Sequence, residues 1–148
     1  MQTIRHLMKD KKVMAIELET TVLEAARYMS ERLIGAVPVL SQGKILGMFT
    51  ERDLMTRVVV LGKDPSRTPV RLVMTREVVT AGPDELRSEC IAKMTAQHCR
   101  HLPILEDGLL LGTISLRDLL AEDVEEQKEE VKLLTDYVQY VPPGHEDH

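Results

Sequence analysis

Two stretches of this 148-residue chain carry residue types and spacing that could handle a nucleoside: Gly47-x-x-Thr50-x-x-Asp53 and Gly112-x-x-Ser115-x-x-Asp118. In each, a glycine near the end of an apolar segment lets a ligand approach the backbone closely. The hydroxyl and the free N–H groups of a following helix turn suit a phosphate. A carboxylate three residues further on can accept hydrogen bonds from the vicinal hydroxyls of a ribose. The same Thr/Ser and Asp also spell a helix capping box, which needs no ligand. A helix start, however, needs neither the preceding glycine nor the arginine before each aspartate, Arg52 and Arg117.

Other chemistry is sparse. Cys90, His98, Cys99 and His101 lie close together in the sequence, but zinc wants four converging ligands at spacings such as Cys-x-x-Cys, and Cys90 sits on an apolar helical stripe as a small core residue. No metal site is expected. His6, His145 and His148 have no partner pattern, and there is no Ser/His/Asp set, paired-carboxylate cleft or phosphate-binding glycine loop. No catalytic residue is assigned, and an enzyme is not expected.

The elements that position the two motifs are themselves repeated. Ile4-Arg5-His6-Leu7-Met8 answers to Val70-Arg71-Leu72-Val73-Met74, and from Glu19 to Met55 a second copy follows at a constant offset of 65. Glu24, Met29, Pro38, Leu40, Gly43, Leu46, Gly47, Arg52, Asp53 and Leu54 recur as identical residues. Each copy predicts a first strand (Val13 to Ile16, Val78 to Ala81) and a helix. The first helix carries a Val22, Ala25, Ala26, Met29 stripe behind a Thr20 or Thr21 cap. The second starts at Pro83-Asp84-Glu85 with Leu86, Cys90, Ile91 and Met94. A hairpin turning at Gln42-Gly43 or Asp107-Gly108 comes next, and a further helix opens at Thr50 or Ser115. Pro38 and Pro103 suggest a strand start or edge. The fold class is therefore α+β, with two β-α-β-β-α repeats packed about a pseudo-twofold axis and a C-terminal amphipathic helix.

The expected boundaries are a first repeat over 1–60, a polar turn-rich linker over 61–69, a second repeat over 70–121, a terminal helix over 122–141 and a tail over 142–148. The terminal helix places Leu120, Val124, Val131, Leu134, Val138 and Val141 at heptad positions interrupted by Gln127, which suits packing on its own domain or on a dimer mate. Composition narrows the function further. Nineteen Lys and Arg against 24 Asp and Glu leave a formal charge of -5, which disfavours nucleic acid and anionic membranes as partners. No apolar run approaches the ~18 residues of a membrane span, and no secretory signal is visible at the N-terminus. Two cysteines without an export signal read as reduced thiols in a cytoplasmic protein. With no Trp, one Phe and three Tyr, base-stacking platforms are not expected.

The doubled motif, together with the Gly35-Ala36-Val37-Pro38 and Arg100-His101-Leu102-Pro103 lead-ins to the second strands, resembles a tandem pair of CBS domains (cystathionine-β-synthase type), also called a Bateman module, over roughly residues 3 to 121. The resemblance implies a stand-alone regulatory module whose clefts bind adenosine-containing ligands such as AMP, ATP, S-adenosylmethionine or NAD. It also implies a homodimer that signals to an unidentified effector protein, with no required cofactor. By position, Asp53 and Asp118 would hold ribose hydroxyls, and Thr50 and Ser115 ribose or phosphate. The backbone around Ala36-Val37 and His101-Leu102 would meet the adenine edge, while Arg100, His101, Arg52 and Arg117 are phosphate candidates. Thr80 matches a first-strand threonine of the family, for which the first repeat has Ala15. The second half is thus the better equipped for an anionic nucleotide. The alternative is a structural or protein-interaction module whose clefts are vestigial.

Overall fold

The computed structural model describes residues 2–138; Val141, His145, His148 and the tail over 142–148 lie outside the described residues. After a single-turn helix α1 (Arg5–Met8), the first half runs β1 (Ile16–Glu17), α2 (Val22–Arg32), β2 (Ala36–Ser41), β3 (Lys44–Thr50) and α3 (Glu51–Asp53), which continues as a π-helical turn over Leu54–Val59. A 3-10 turn over Val70–Leu72 opens the second half, followed by α4 (Arg87–Gln97), β4 (His101–Glu106), β5 (Leu109–Ser115) and the long α5 (Leu116–Val138). The terminal helix is therefore not a separate element: it continues without a break from the Ser115 cap. No helix among the described residues is long and apolar enough to cross a membrane.

Local chemistry explains most of these elements. Thr21 caps α2 by accepting from the Glu24 amide, and Val22, Ala25 and Met29 form its buried face. α4 starts later than expected, at Arg87, where the Glu89 carboxylate accepts from the Leu86 amide. Gln42-Gly43 and Asp107-Gly108 both adopt the paired left-handed conformation of a type I′ turn, with φ of 51° and 79°, then 53° and 80°. β2 and β3 pair antiparallel, as do β4 and β5, and each hairpin shifts register at the same place, Val39/Leu40 and Ile104/Leu105.

The first strands are much shorter than expected. β1 pairs only Ile16 with Val39 and Glu17 with Leu40, and its counterpart is reduced to one parallel bridge, Ala81 to Ile104. Neither proline starts its strand: Pro38 lies opposite Met48 and Pro103 opposite Thr113. Both sit just before the residues that the first strand reaches, where their missing N–H leaves no ladder bond unmade.

The two hydrophobic cores do not follow the order of the chain. The first contains Ile16, Val22, Ala25, Met29, Val37, Val39, Phe49 and Val58, together with Val70, Val73 and Met74 from the start of the second repeat. The second contains Ala81, Cys90, Met94, Leu102, Ile104, Ile114 and Leu119, together with Ile4 and Met8 from the start of the first. Each half thus receives its opening segment from the other repeat. Hydrogen bonds seal the exchange: the Ile4 amide donates to the Glu85 carbonyl, and the Val70 amide to the Thr20 carbonyl. Arg5 adds a two-pronged contact to Asp84 at 2.9 and 3.0 Å and a further bond to Glu106. These groups are solvent-exposed, so they set register more than stability. The exchange makes Ile4, fully buried, a core residue of the second half. Ile4→Ala is expected to lower unfolding free energy by about 2–5 kcal/mol in urea denaturation. Val13→Ala, at a position 55% exposed, should cost less than about 0.5 kcal/mol. Equal costs for the two would contradict the exchanged packing.

Candidate functional site

Both motifs form the capping boxes that their spacing allows. The Thr50 amide donates to Asp53 Oδ2 at 3.0 Å while Thr50 Oγ1 accepts from the Asp53 amide at 3.0 Å. In the second copy the Ser115 amide donates to Asp118 Oδ2 at 2.9 Å and Ser115 Oγ accepts from the Asp118 amide at 3.1 Å. The glycines do what a cap does not require. A Cβ on Gly47 would stand 2.6 Å from Met74 Sδ and 2.8 Å from the Thr75 carbonyl oxygen, and one on Gly112 would stand 3.0 Å from Met8 Cε. The segment occupying the space above each glycine is the exchanged one, ending in Met74 or Met8. Met48 and Thr75 then bond to each other through both amides, which extends the edge of β3.

What lies beyond that segment differs between the copies. Thr75 Oγ1 donates to Asp53, 3.0 Å from Oδ1 and 3.2 Å from Oδ2, and Arg57 Nε stands 3.6 Å from Oδ1. The Asp53 side chain is only 6% exposed, and both its oxygens are engaged. Asp118 is 36% exposed, and it meets Lys11, whose Nζ donates to Oδ2 at 2.8 Å. Ser115 and Lys11 therefore share one oxygen, and Oδ1 takes no bond among the described residues. Burial would raise the Asp118 carboxyl, but the Lys11 ammonium and the Ser115 bonds outweigh it and hold the group below the usual carboxylate range.

Around these carboxylates the remaining candidates divide. Ala36, Val37, Leu102 and Pro103 are buried, as is Pro38; Val37 and Leu102 point into the two cores, so only their backbone could meet a ligand. His101 is half-buried at the start of β4 opposite Ser115. Burial lowers its pKa, against the opposing pull of Glu51 and Asp118 and with a further push from Arg100. Glu51, at the start of the first motif's helix, is thus near enough to act electrostatically on His101 of the second repeat, and its Oε1 lies 3.0 Å from where a Cβ on Gly35 would be. Arg52, Arg100 and Arg117 are exposed and form no ion pair among the described residues. Thr80 is half-buried, its carbonyl taken by Lys93 Nζ at 3.0 Å.

Connectivity pairs the pieces across the repeats. Thr75, bonded to Asp53, leads along the chain into Thr80, whereas Lys11, bonded to Asp118, leads into Ala15. Thr75, Lys11 and Glu51 were not singled out from the sequence. The signal available was the repeated five-residue box ending in Met8 and Met74, which marks the strip of chain that covers each glycine. No group of three or more His, Cys, Asp or Glu side chains is placed to hold a metal among the described residues. His98 closes α4 in a left-handed conformation, φ 53°, and Cys90 is a buried core thiol pushed up to about 11, chiefly by burial.

Two measurements follow from this geometry. Thr75→Val removes the hydroxyl that satisfies the buried Asp53 carboxylate, and should cost about 1–3 kcal/mol of stability by urea denaturation; a change near zero would mean that solvent reaches Asp53. His101, with a folded pKa below the ordinary 6.5, binds a proton less readily folded than unfolded. The stability that this contributes is present above that value and is lost as pH falls through it towards the lower folded value. The melting temperature should therefore drop between about pH 7.5 and 5.5, and His101→Gln should flatten that drop. An unchanged slope in the variant would show that His101 is not its source.

A profile of the CBS domain matches residues 4–60 and 70–125, both repeats of the chain. The CBS domain-containing protein YhcV of Bacillus subtilis is 35% identical over 116 residues, which cover 78% of this chain and 81% of that protein; longer plant relatives are spanned to a smaller extent. Among solved structures, a protein with CBS domains from Burkholderia ambifaria superposes with a TM-score of 0.80 at 33% identity, covering 85% of this chain and 96% of that one. The CBS domain pair of protein MJ0100, in complex with 5′-methylthioadenosine and S-adenosyl-L-methionine, shares the fold with a TM-score of 0.74 at 20% identity, covering 84% of this chain and 98% of that one. With two matching profiles, the doubled hairpins and a pseudo-symmetric pair of Gly-x-x-Thr/Ser-x-x-Asp motifs, the chain belongs to the CBS-domain family and contains a tandem pair of these domains.

Proposed function

We propose that this chain is a non-catalytic regulatory module that binds an adenosine-containing ligand at its carboxylate motifs and signals through a change in shape or dimer packing. The observation that carries this reading is Asp118: a half-exposed carboxylate at a helix start, with Oδ1 unbonded among the described residues and a close-approach glycine beside it. A ribose offers two adjacent hydroxyls, and a carboxylate with a free oxygen can receive them without breaking the cap. The S-adenosylmethionine and methylthioadenosine held by MJ0100 support an adenosyl ligand class for this fold. Ser115, the backbone at Ala36-Val37 or His101-Leu102, and Arg100 or Arg117 would complete the contacts. The Asp53 copy is the second candidate; a ligand there would have to replace the Thr75 hydroxyl.

Ligand can shift the equilibrium between two shapes only through unequal affinity for them. Here a ligand at Asp118 would press on Lys11 and Met8, and through them on the exchanged strip that enters the second core. The output would reach a homodimer mate or a separate effector protein. A second reading, a protein-interaction module with vestigial clefts, is favoured by one feature: both capping boxes are complete without any ligand, while Leu120, Val131 and Leu134 on α5 are 47%, 60% and 67% exposed.

Thermal-shift titration against AMP, ADP, ATP, NAD and S-adenosylmethionine separates the two. Ligand at 100 times its dissociation constant adds ~2.7 kcal/mol, a rise of about 5–10 °C for a chain of this size. Asp118→Ala should abolish that rise while the variant stays folded, losing only ~1 kcal/mol as a weakened cap. No response to the whole panel would favour the interaction module.

A further inference from the structure

Up to their methionines the two exchanged strips are alike, each methionine lying over its glycine; beyond that point they part. Met8 answers to Met74, 66 positions on, whereas Glu19 answers to Asp84, 65 on, so the strip that leaves Met8 has one residue more to place. After Met74 the chain stays extended, and Thr75 pairs with Met48 through both amides at 2.9 and 2.8 Å. After Met8 it turns instead. Lys9 has helical backbone, φ -54° and ψ -43°, and the Lys11 amide donates to the Met8 carbonyl at 3.2 Å. The extra residue is taken up in that turn.

The turn leaves the edge of β5 unpaired where the edge of β3 is paired. Thr113 occupies the place of Met48. Pro103, opposite it, directs its carbonyl to the Ala81 amide on the far side of β4. Thr113 and Pro103 are therefore a non-hydrogen-bonded pair, and the Thr113 amide and carbonyl face outward. There they take no bond among the described residues, and the buried Thr113 hydroxyl has no partner either. The stem of Lys11 lies over the glycine instead, its Cβ 3.5 Å from where a Cβ on Gly112 would be, and its ammonium ends on Asp118.

Lys9 is the residue that answers to Thr75. Moving it from helical to extended backbone crosses between two allowed regions without strain. The move gives Thr113 the two backbone bonds that Met48 has, opens the Met8–Lys11 turn and draws Lys11 off Asp118. The side-chain contact that opposes it is the Lys11–Asp118 pair, 29% and 36% exposed, which is a contact of modest strength.

We infer that residues 9–11 are a strap with two positions. In one, the turn, Lys11 covers Asp118. In the other, extended, Lys9 pairs with Thr113 as Thr75 pairs with Met48, and position 9 replaces Lys11 beside the carboxylate. The two halves of the molecule display the two positions side by side. A change of backbone at Lys9 thus couples pairing at the β5 edge to access at Asp118, and it does so whatever ligand the cleft takes.

Native-state amide hydrogen exchange on the full chain reads the strap without any ligand, with the Met48 amide as internal reference. In wild type the Thr113 amide should exchange at least about tenfold faster than that of Met48. The double variant Lys9→Thr/Lys11→Met removes the anchor of the turn and supplies the hydroxyl that Thr75 gives Asp53. It should slow Thr113 exchange about fivefold or more while Met48 is unchanged. Deleting Asp10, which gives the strip the length of its counterpart, should bring the Thr113 rate to within about threefold of Met48. Thr113 exchange that stays at the wild-type rate in the double variant, or a slowing that Met48 shares, overturns the assignment. So does a folded deletion variant in which Thr113 still exchanges as in wild type. The double variant keeps the full length and decides the matter if the deletion does not fold.

Discussion

The contact between Gly47 and Met74, with its counterpart between Gly112 and Met8, is the constraint on which the rest of the structure depends. Each glycine sits in the middle of its strand, three residues before the helix cap, and each lets a strip of chain from the other repeat pass at close contact distance. At Gly47 the strip comes so close that its backbone bonds to Met48 through both amides. That closeness brings a side chain further along the strip, Thr75 or Lys11, to the carboxylate of the motif. It also fills each core with residues that the other repeat contributes, Ile4 and Met8 on one side, Val70, Val73 and Met74 on the other. Neither half has a complete core without the strip, so the two halves are stabilised jointly and the linker between them is tied down at Val70 rather than left free.

Capping engages only part of each motif's carboxylate in this protein. A capping aspartate uses one oxygen on the backbone and leaves the other for something else. In the first half the something else is a threonine hydroxyl and an arginine, and the carboxylate is sealed from water. In the second it is solvent, with a lysine leaning on the oxygen already in use. Because a buried charge must be paired where it stands, Asp53 is committed to its neighbours; Asp118, half exposed, can exchange partners at small cost. Two motifs that read almost alike therefore differ in their surroundings: Thr75 and Arg57 engage Asp53, while Lys11 alone meets the more exposed Asp118 among the described side chains beyond the cap.

Helix α5 ties the second motif to the exposed surface. The long α5 begins at the Asp118 motif, anchors through the buried Leu119, and then carries exposed Val131 and Leu134.

Much of this was legible in the sequence, because short-range chemistry encodes it. The repeat offset placed both halves, the Gln42-Gly43 and Asp107-Gly108 pairs placed both hairpins, and Thr20 or Thr21, Thr50 and Ser115 placed helix starts, since turns and caps depend on residues three or four apart. The first strands were overestimated for the same reason: Val13 and Val78 have strand propensity, but propensity does not supply a neighbour to pair with, and β1 finds one for only two residues. What only the tertiary structure decided is which repeat serves which motif. Lys11 and Thr75 are ordinary polar residues in sequence, separated from their carboxylates by 107 and 22 positions. Nothing local distinguishes them, because their significance comes from the close passage of two backbones, and that passage exists only once both cores have formed.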